Sequence, residues 1–439
     1  MTQLAERTES ETLASGRPVP DLITEIPGPK ARALIAQDAK YTSPSLPRAY
    51  AIVPARGDGL VIEDVDGNLF LDFAAGIAVT STGHAHPEVV RAIQRQAELL
   101  LHFSASDFYL PIYVEACKEL DRIAPIAGAT RAFLTNSGTE AIEVALKLAR
   151  HATGRQNVIA FFGAFHGRTY GSVTMTASKA KYHHRFGPML PGVYHAPYGT
   201  KAGLDFITGQ LFKRLIVPED VAAIFVEPIL GEGGYVVPDD DFLPGLREIC
   251  DRHGILLVAD EVQSGAGRTG KMWALDHWGV EPDMVVLAKG IASGMPLGAM
   301  VGKAELFDWT KGAHGSTYGG NPLACAAAIE TIRLLEGGLV DNAAHMGERL
   351  MSELRQRLVG RYDIVREVRG KGLMIGIAMA SGEHAKAVEE AAFQRGLLVL
   401  EAGDDAVRMC PALSVDAGQV DTALDIFEQA VAEVSGRRA

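Results

Sequence analysis

Lys289 closes the apolar run MVVLA (284–288) and precedes Gly290, a setting in which an ammonium is costly to bury. A lysine at a strand end is ordinarily solvated. Held at a ligand site, its amine is equipped for Schiff-base chemistry with an aldehyde. Two carboxylates end comparable runs: Asp260 follows ILLVA (255–259) and Glu227 follows AAIFV (222–226). Asp260 and Lys289 stand 29 positions apart, one strand–helix–strand step. Ligands of parallel α/β sheets bind beyond the carboxyl ends of the strands, so an acid and an amine delivered to that edge face one small molecule between them.

A cofactor of the pyridoxal type needs four supports: a Gly-rich helix start for its phosphate, an acid for its pyridine nitrogen, a flat cover for its ring and a lysine for its aldehyde. Asn136-Ser137-Gly138-Thr139-Glu140 lies between RAFLT (131–135) and a helical pattern. Its amides and hydroxyls are placed to cradle a phosphate, although such a start also serves as a plain cap. Asp260 can keep a ring nitrogen protonated. Phe165-His166 in GAFHGRT offers the cover, where an aromatic pair is otherwise core packing. The stretch GAGRTG (265–270) matches GxGxxG, but four residues separate it from Asp260, and residues 289–291 read Lys-Gly-Ile where that fingerprint wants an acid. A dinucleotide turn is therefore disfavoured. His84, His86, His183 and His184 have no Cys or acid at ligand spacing, so no metal site is expected.

The scaffold that must position these groups is legible in pattern. Residues 131–135, 157–162, 222–228, 255–260 and 284–289 are apolar runs of strand length separated by helical patterns such as 242–254. Strands apolar throughout are covered on both faces, which predicts an α/β domain of three layers with a mostly parallel sheet. VIEDVDGNLFLDF (61–73) predicts a hairpin turning at Asp66-Gly67. From Pro87 a helix is predicted, with Val90, Ile93, Ala97, Leu100 and Leu101 on its apolar face. A further helix is expected from Pro322 to about Leu335, and a smaller α+β unit follows it. The first 25 residues, polar and rich in Ser, Thr and Glu, are expected to be loose.

Composition narrows the function. Lys plus Arg total 42 against 54 Asp plus Glu, a formal net charge of −12, which lacks the basic field that nucleic acid or an anionic membrane demands. No apolar run approaches a membrane span, and residues 1–30 lack a signal-peptide core. Cys117, Cys250, Cys325 and Cys410 are widely spaced and fit a reducing cytoplasm.

Taken together, GIAVTSTGHAHP (76–87), NSGTEAIEVALKLAR (136–150), GAFHGRT (163–169), VEPILGEGG (226–234), LLVADEVQSGAGRTGKMWA (256–274), VVLAKGIASGMPLGA (285–299) and HGSTYGGNPLACAA (314–327) resemble the class III, fold-type I pyridoxal-phosphate aminotransferases of the ornithine/4-aminobutyrate group. The resemblance implies a large cofactor domain at 87–335, a C-terminal small α+β domain at 336–439, a segment 26–86 joining that small domain and a flexible 1–25. It implies Lys289 as the lysine joined to pyridoxal 5'-phosphate and as the proton carrier, with Asp260 on the pyridinium nitrogen. Ser137, Gly138 and Thr139 would hold the phosphate, Thr317 would reach it from a partner subunit, Phe165 and Val262 would cover the two ring faces beside His166, and Gln263 would approach the ring hydroxyl. A homodimer is implied, with a dimer of dimers as the larger alternative.

By the same resemblance, Arg168 binds a substrate's distal carboxylate and Arg408 an α-carboxylate, as in 2-oxoglutarate. Glu232 masks Arg408 when an ω-amino substrate is present, because a guanidinium fork recognises one carboxylate at a time. Ile77 stands where ornithine-selective relatives carry a tyrosine. The expected activity is transfer of an amino group from an ω-amino acid or related amine to 2-oxoglutarate or pyruvate. A racemase or epimerase of the same family is the alternative, since PGPKARALIAQDAKY, HFSASDFYLP and GAFHGRTYGSVTMTASK also look close to that branch.

Overall fold

The computed structural model describes Leu13 and residues 16–436. Its centre is a seven-stranded sheet in the order Thr130–Thr135, Gly298–Lys303, Met284–Leu287, Leu256–Asp260, Val221–Val226, Asn157–Phe161 and Val193–Ala196. Only Gly298–Lys303 runs against its neighbours; the other adjacent pairs are parallel. The expected mostly parallel α/β sheet is thus present. Val221–Val226 is buried at every position, the pattern of a strand covered on both faces. The helix Gly138–Thr153 lies over one face and buries seven apolar residues from Ala141 to Ala149.

Two of the sheet strands carry no plain sequence signal. Val193–Ala196 reads VYHA, and Gly298–Lys303 mixes glycine with short apolar residues. The second of these must come close to the helix start at 137. A Cβ on Gly298 would lie 2.3 Å from the Ser137 carbonyl oxygen, so packing dictates the residue that hides the strand.

The hairpin forms as Val61–Asp64 paired with Leu69–Asp72. Asp64 Oδ1 accepts the amides of Asp66 and Asn68, each at 2.9 Å, across the turn. This small sheet also contains Pro54–Asp58 and the distant Leu397–Leu398. A third, antiparallel sheet orders Val365–Lys371, Met374–Met379, Ala406–Met409 and Leu400–Ala402.

Two expectations need correction. Residues 1–12, 14 and 15 of the supposedly loose N-terminus lie outside the described residues, but the remainder of that stretch is tied down. Asp21 and Leu69 exchange backbone bonds of 3.0 and 2.9 Å, and Asn68 Oδ1 accepts the amides of Ile23 and Thr24 at 2.8 and 2.9 Å. The helix Pro87–Leu99 forms as expected, yet it buries Val89 and Ala92. Leu100 and Leu101 fall beyond its end and are exposed, because Leu100 already has extended backbone at the C-cap.

GAGRTG acts as a joint between layers. Arg268 is buried, and its Nη1 donates to the carbonyls of Leu373 and Pro411, fixing the C-terminal sheet to the loop after Asp260. Replacing Arg268 by Ala leaves two buried carbonyls without donors. We expect Arg268→Ala to destabilise the fold by about 2–4 kcal/mol, read as a lowered thermal midpoint.

Candidate active site

The carboxyl ends of neighbouring strands supply the site. In register, Asp260 pairs with Val286 and Val226 with Ala259, so Glu227, Asp260 and the Ala288-Lys289 pair emerge at one edge. They open into a cavity of about 410 Å³ lined by Ser137, Gly138, Thr139, Phe165, His166, Arg168, Val262, Gln263 and Lys289, with Asp260 and Glu227 at its base.

Asp260 is 4% exposed. Its Oδ2 stands 2.7 Å from His166 Nδ1, and its Oδ1 accepts the Val262 amide at 3.0 Å. Burial alone would push the His166 imidazole down, but the hydrogen bond to Asp260 together with the negative charges of Asp260 and Glu227 outweighs it and raises the pKa. Glu227 accepts the amides of Phe165 at 2.7 Å and Gly231 at 2.8 Å. Burial, and then the neighbouring Asp260, push its carboxyl up. The Lys289 amine is lowered from 10.5 to about 8, first by burial and next by the Arg408 cation. An amine brought this close to physiological pH can both release and take up a proton there, as proton transfer at carbon requires.

At the opposite rim, Ser137 caps Gly138–Thr153 by accepting the Glu140 amide at 3.4 Å. The amides of Gly138 and Thr139 lie in the first turn, outside the helical ladder, at the positive end of the helix dipole. Thr139 Oγ1 sits 2.8 Å from Thr169 Oγ1 and 2.5 Å from Ser172 Oγ. Sequence reasoning passed over Thr169 and Ser172; the run GRTYGS held the only signal. Gly138 permits close approach, since a Cβ there would lie 2.9 Å from both Val262 methyls.

Arg408 approaches from the C-terminal sheet, where it pairs with Gly376. It is 4% exposed, with its Nη1 3.3 Å from Glu232 Oε2 and its Cζ 6.0 Å from the centre of the Tyr235 ring. Tyr235 donates to Gln263 Oε1 at 2.9 Å, linking this arginine to the loop that bears Asp260. Arg168 is exposed and stacks on the rings of Phe165 and Tyr182, 5.1 and 5.0 Å from their centres. Tyr182 and Tyr235 were not singled out in the sequence, where isolated tyrosines give no signal.

Four expected residues do not line this cavity: Arg408 and Glu232 lie beside it, and two others lie elsewhere. Ile77 is 42% exposed and is not among the residues lining this cavity, whereas Val79 is. Thr317 is exposed in the loop before Pro322, away from its own chain's cavity. The histidines have local duties: His84 Nε2 meets Asp72 Oδ2 at 2.7 Å, His86 Nδ1 accepts the Glu88 amide, and His183 Nε2 meets the Val173 carbonyl at 2.8 Å.

Against this geometry the comparisons are direct. Residues 43–431 match the aminotransferase class-III family, and the chain belongs to it. It is similar to an acetylornithine aminotransferase of Methanothermobacter thermautotrophicus, 41% identical over 87% of this chain and 94% of the relative. It is also similar to an alanine/serine racemase of Pyrococcus horikoshii, 35% identical over 94% and 92%, and to a 4-aminobutyrate aminotransferase of Mycobacterium tuberculosis, 37% identical over 92% and 96%. The ornithine aminotransferase of Toxoplasma gondii superposes with a TM-score of 0.86 at 32% identity, covering 92% of this chain and 96% of that one. The cofactor of the family is pyridoxal phosphate, as in a PLP-bound amine transaminase from an uncultivated Pseudomonas species.

The residues present fit that group. A buried acid, an amine, two flanking side chains (Phe165 and Val262) and a capped helix start converge on one cavity, and His166 Nε2 is buried with no protein partner among the described residues. In cofactor-free protein the Lys289 amine should lose its proton through about pH 8, well before an ordinary lysine. Acylation of Lys289, followed by peptide mass spectrometry, should show that midpoint. Arg408→Met, by removing a neighbouring cation, should move it upward.

Proposed function

We propose that this protein transfers the amino group of an ω-amino acid or related amine, of the 4-aminobutyrate kind, to 2-oxoglutarate or pyruvate by a ping-pong route. The observation that carries this reading is the buried Arg408 held by Glu232 at 3.3 Å, beside the cavity of Lys289 and Asp260 and near enough for its charge to lower the Lys289 amine. Such a pair accommodates both substrate types in turn: Arg408 is masked for a donor without an α-carboxylate and open for an acceptor that has one. Arg168 is proposed to receive the distal carboxylate.

When bound, pyridoxal phosphate supplies the electron sink that stabilises negative charge on the substrate carbon. Asp260 would hold a proton at the pyridine nitrogen, and His166, 2.7 Å from its Oδ2, keeps that carboxylate oriented. Phe165 and Val262 would hold the ring between them, and Gln263 would bind its hydroxyl. Ser137, Gly138 and Thr139 bind the phosphate through amides and hydroxyls. Lys289 Nζ would hold the cofactor's aldehyde carbon, and its amine would carry a proton to or from the amine-bearing carbon of the substrate.

A homodimer is proposed as well. Its supports are the exposed large side chains of Leu99, Leu101, Phe103, Phe108 and Tyr109, close together in the chain, and the position of Thr317 outside its own cavity. A cytoplasmic setting accords with four free cysteines. No helix among the described residues is long and apolar enough to cross a membrane.

Mixing holoenzyme with 4-aminobutyrate in the absence of keto acid should change the cofactor absorbance, and adding 2-oxoglutarate should restore it. Unchanged spectra with every amine tested would refute the proposal. Lys289→Ala should lower turnover by at least about a thousandfold and leave a soluble protein. The similarity to an alanine/serine racemase supports a second reading. Sustained formation of D-enantiomer from a single L-amino acid without keto acid would favour it, because transamination alone stops after one turnover.

A further inference from the structure

Glu232 divides its carboxylate between two cations. Oε2 faces Arg408 Nη1 at 3.3 Å, while Oε1 lies 3.5 Å from Lys179 Nζ and accepts the Tyr182 hydroxyl at 3.4 Å. The cations belong to different parts of the molecule. Arg408 sits in the strand Ala406–Met409, and Lys179 immediately precedes the short helical turn Ala180–Tyr182. That turn is anchored on both sides: before it the Ala177 amide donates to the Ala164 carbonyl at 2.8 Å, and after it His183 Nε2 meets the Val173 carbonyl at 2.8 Å.

The two partners of Glu232 differ in freedom. The Arg408 side chain is 5% exposed, whereas those of Glu232 and Lys179 are 20% and 29% exposed. The guanidinium is therefore the fixed post, and the carboxylate is the part with room to turn. A substrate carboxylate that takes Arg408 must displace Glu232. Left without a partner, the displaced carboxylate would repel the arriving anion across a few ångströms of poorly solvated space.

We infer that Lys179 and Tyr182 form the resting place of Glu232 while Arg408 holds a substrate α-carboxylate, which makes Lys179 a specificity-determining positioning residue. The inference rests on the reading of Arg408 as the α-carboxylate site. Lys179 neutralises the withdrawn Glu232 and so favours binding of 2-oxoglutarate without touching it. Tyr182 has a second task. Its ring lies 5.0 Å from Arg168 Cζ and edge-on to Phe165 at 5.5 Å, so one side chain joins the proposed distal-carboxylate arginine to the movable glutamate.

The test uses full-length holoenzyme. For Lys179→Gln, KM for 2-oxoglutarate should rise about fivefold, the scale of one partly exposed ion pair, with kcat changed less than twofold. Tyr182→Phe should give a smaller rise in the same direction. In a Glu232→Gln background, Lys179→Gln should add no further increase, because no carboxylate remains to be held. An unchanged KM for 2-oxoglutarate would overturn the inference, as would an undiminished Lys179→Gln effect in the Glu232→Gln background. A rise confined to KM for 4-aminobutyrate would also overturn it, since Lys179 would then bind the distal carboxylate itself. Failure of the underlying reading is seen separately, as an Arg408→Met enzyme whose KM for 2-oxoglutarate does not change.

Discussion

The site depends on keeping a lysine amine in a place that disfavours its charge. Lys289 follows a fully buried strand and lies within the field of Arg408, and both burial and the cation lower its proton affinity. The same cavity must retain Asp260 and Glu227, two acids whose mutual repulsion helps to raise Glu227. Amide donors to Glu227 and the His166 bond to Asp260 make that crowding tolerable. Amine, buried acids and fixed cation thus constrain one another where the edge of the central sheet meets the C-terminal sheet.

Arg408 joins this cluster from outside the central sheet. Its strand belongs to the C-terminal antiparallel sheet, and the contact is maintained by the loop at 230–235. Arg369 donates twice to the Gly234 carbonyl, at 3.0 and 2.8 Å, and Tyr235 packs beside Arg408. Arg268 fastens the other side of the same seam. The arginine proposed to recognise substrate and the packing of two sheets therefore share one interface, and small shifts at that seam alter the position of Arg408 relative to Lys289.

The parts of the molecule legible in the sequence are those governed by local periodicity. The runs ending in Glu227, Asp260 and Lys289 are apolar throughout because both faces of their strands are covered, and their terminal polar residues mark the ligand edge. The helix start at 136–140 was readable for the same kind of reason, a cap followed by an apolar stripe. Gly298–Lys303 was hidden because close approach to Ser137 demands glycine at its first position. The helix after Pro87 was visible, but its buried face was displaced by one residue, since contact with the helix Pro322–Leu334 selects which side is covered.

By itself the sequence determined five of the seven central strands, the edge they share, the amine and acid that edge must carry and the family resemblance, because each is written in spacing along the chain. Tertiary structure alone decided that Glu232 stands between Arg408 and Lys179, that Tyr182 spans Arg168 and Glu232, and that GAGRTG locks two sheets together. These contacts join residues as far apart as 176 positions. No pattern of neighbours along the chain encodes such a distance; it is set by how the sheets pack.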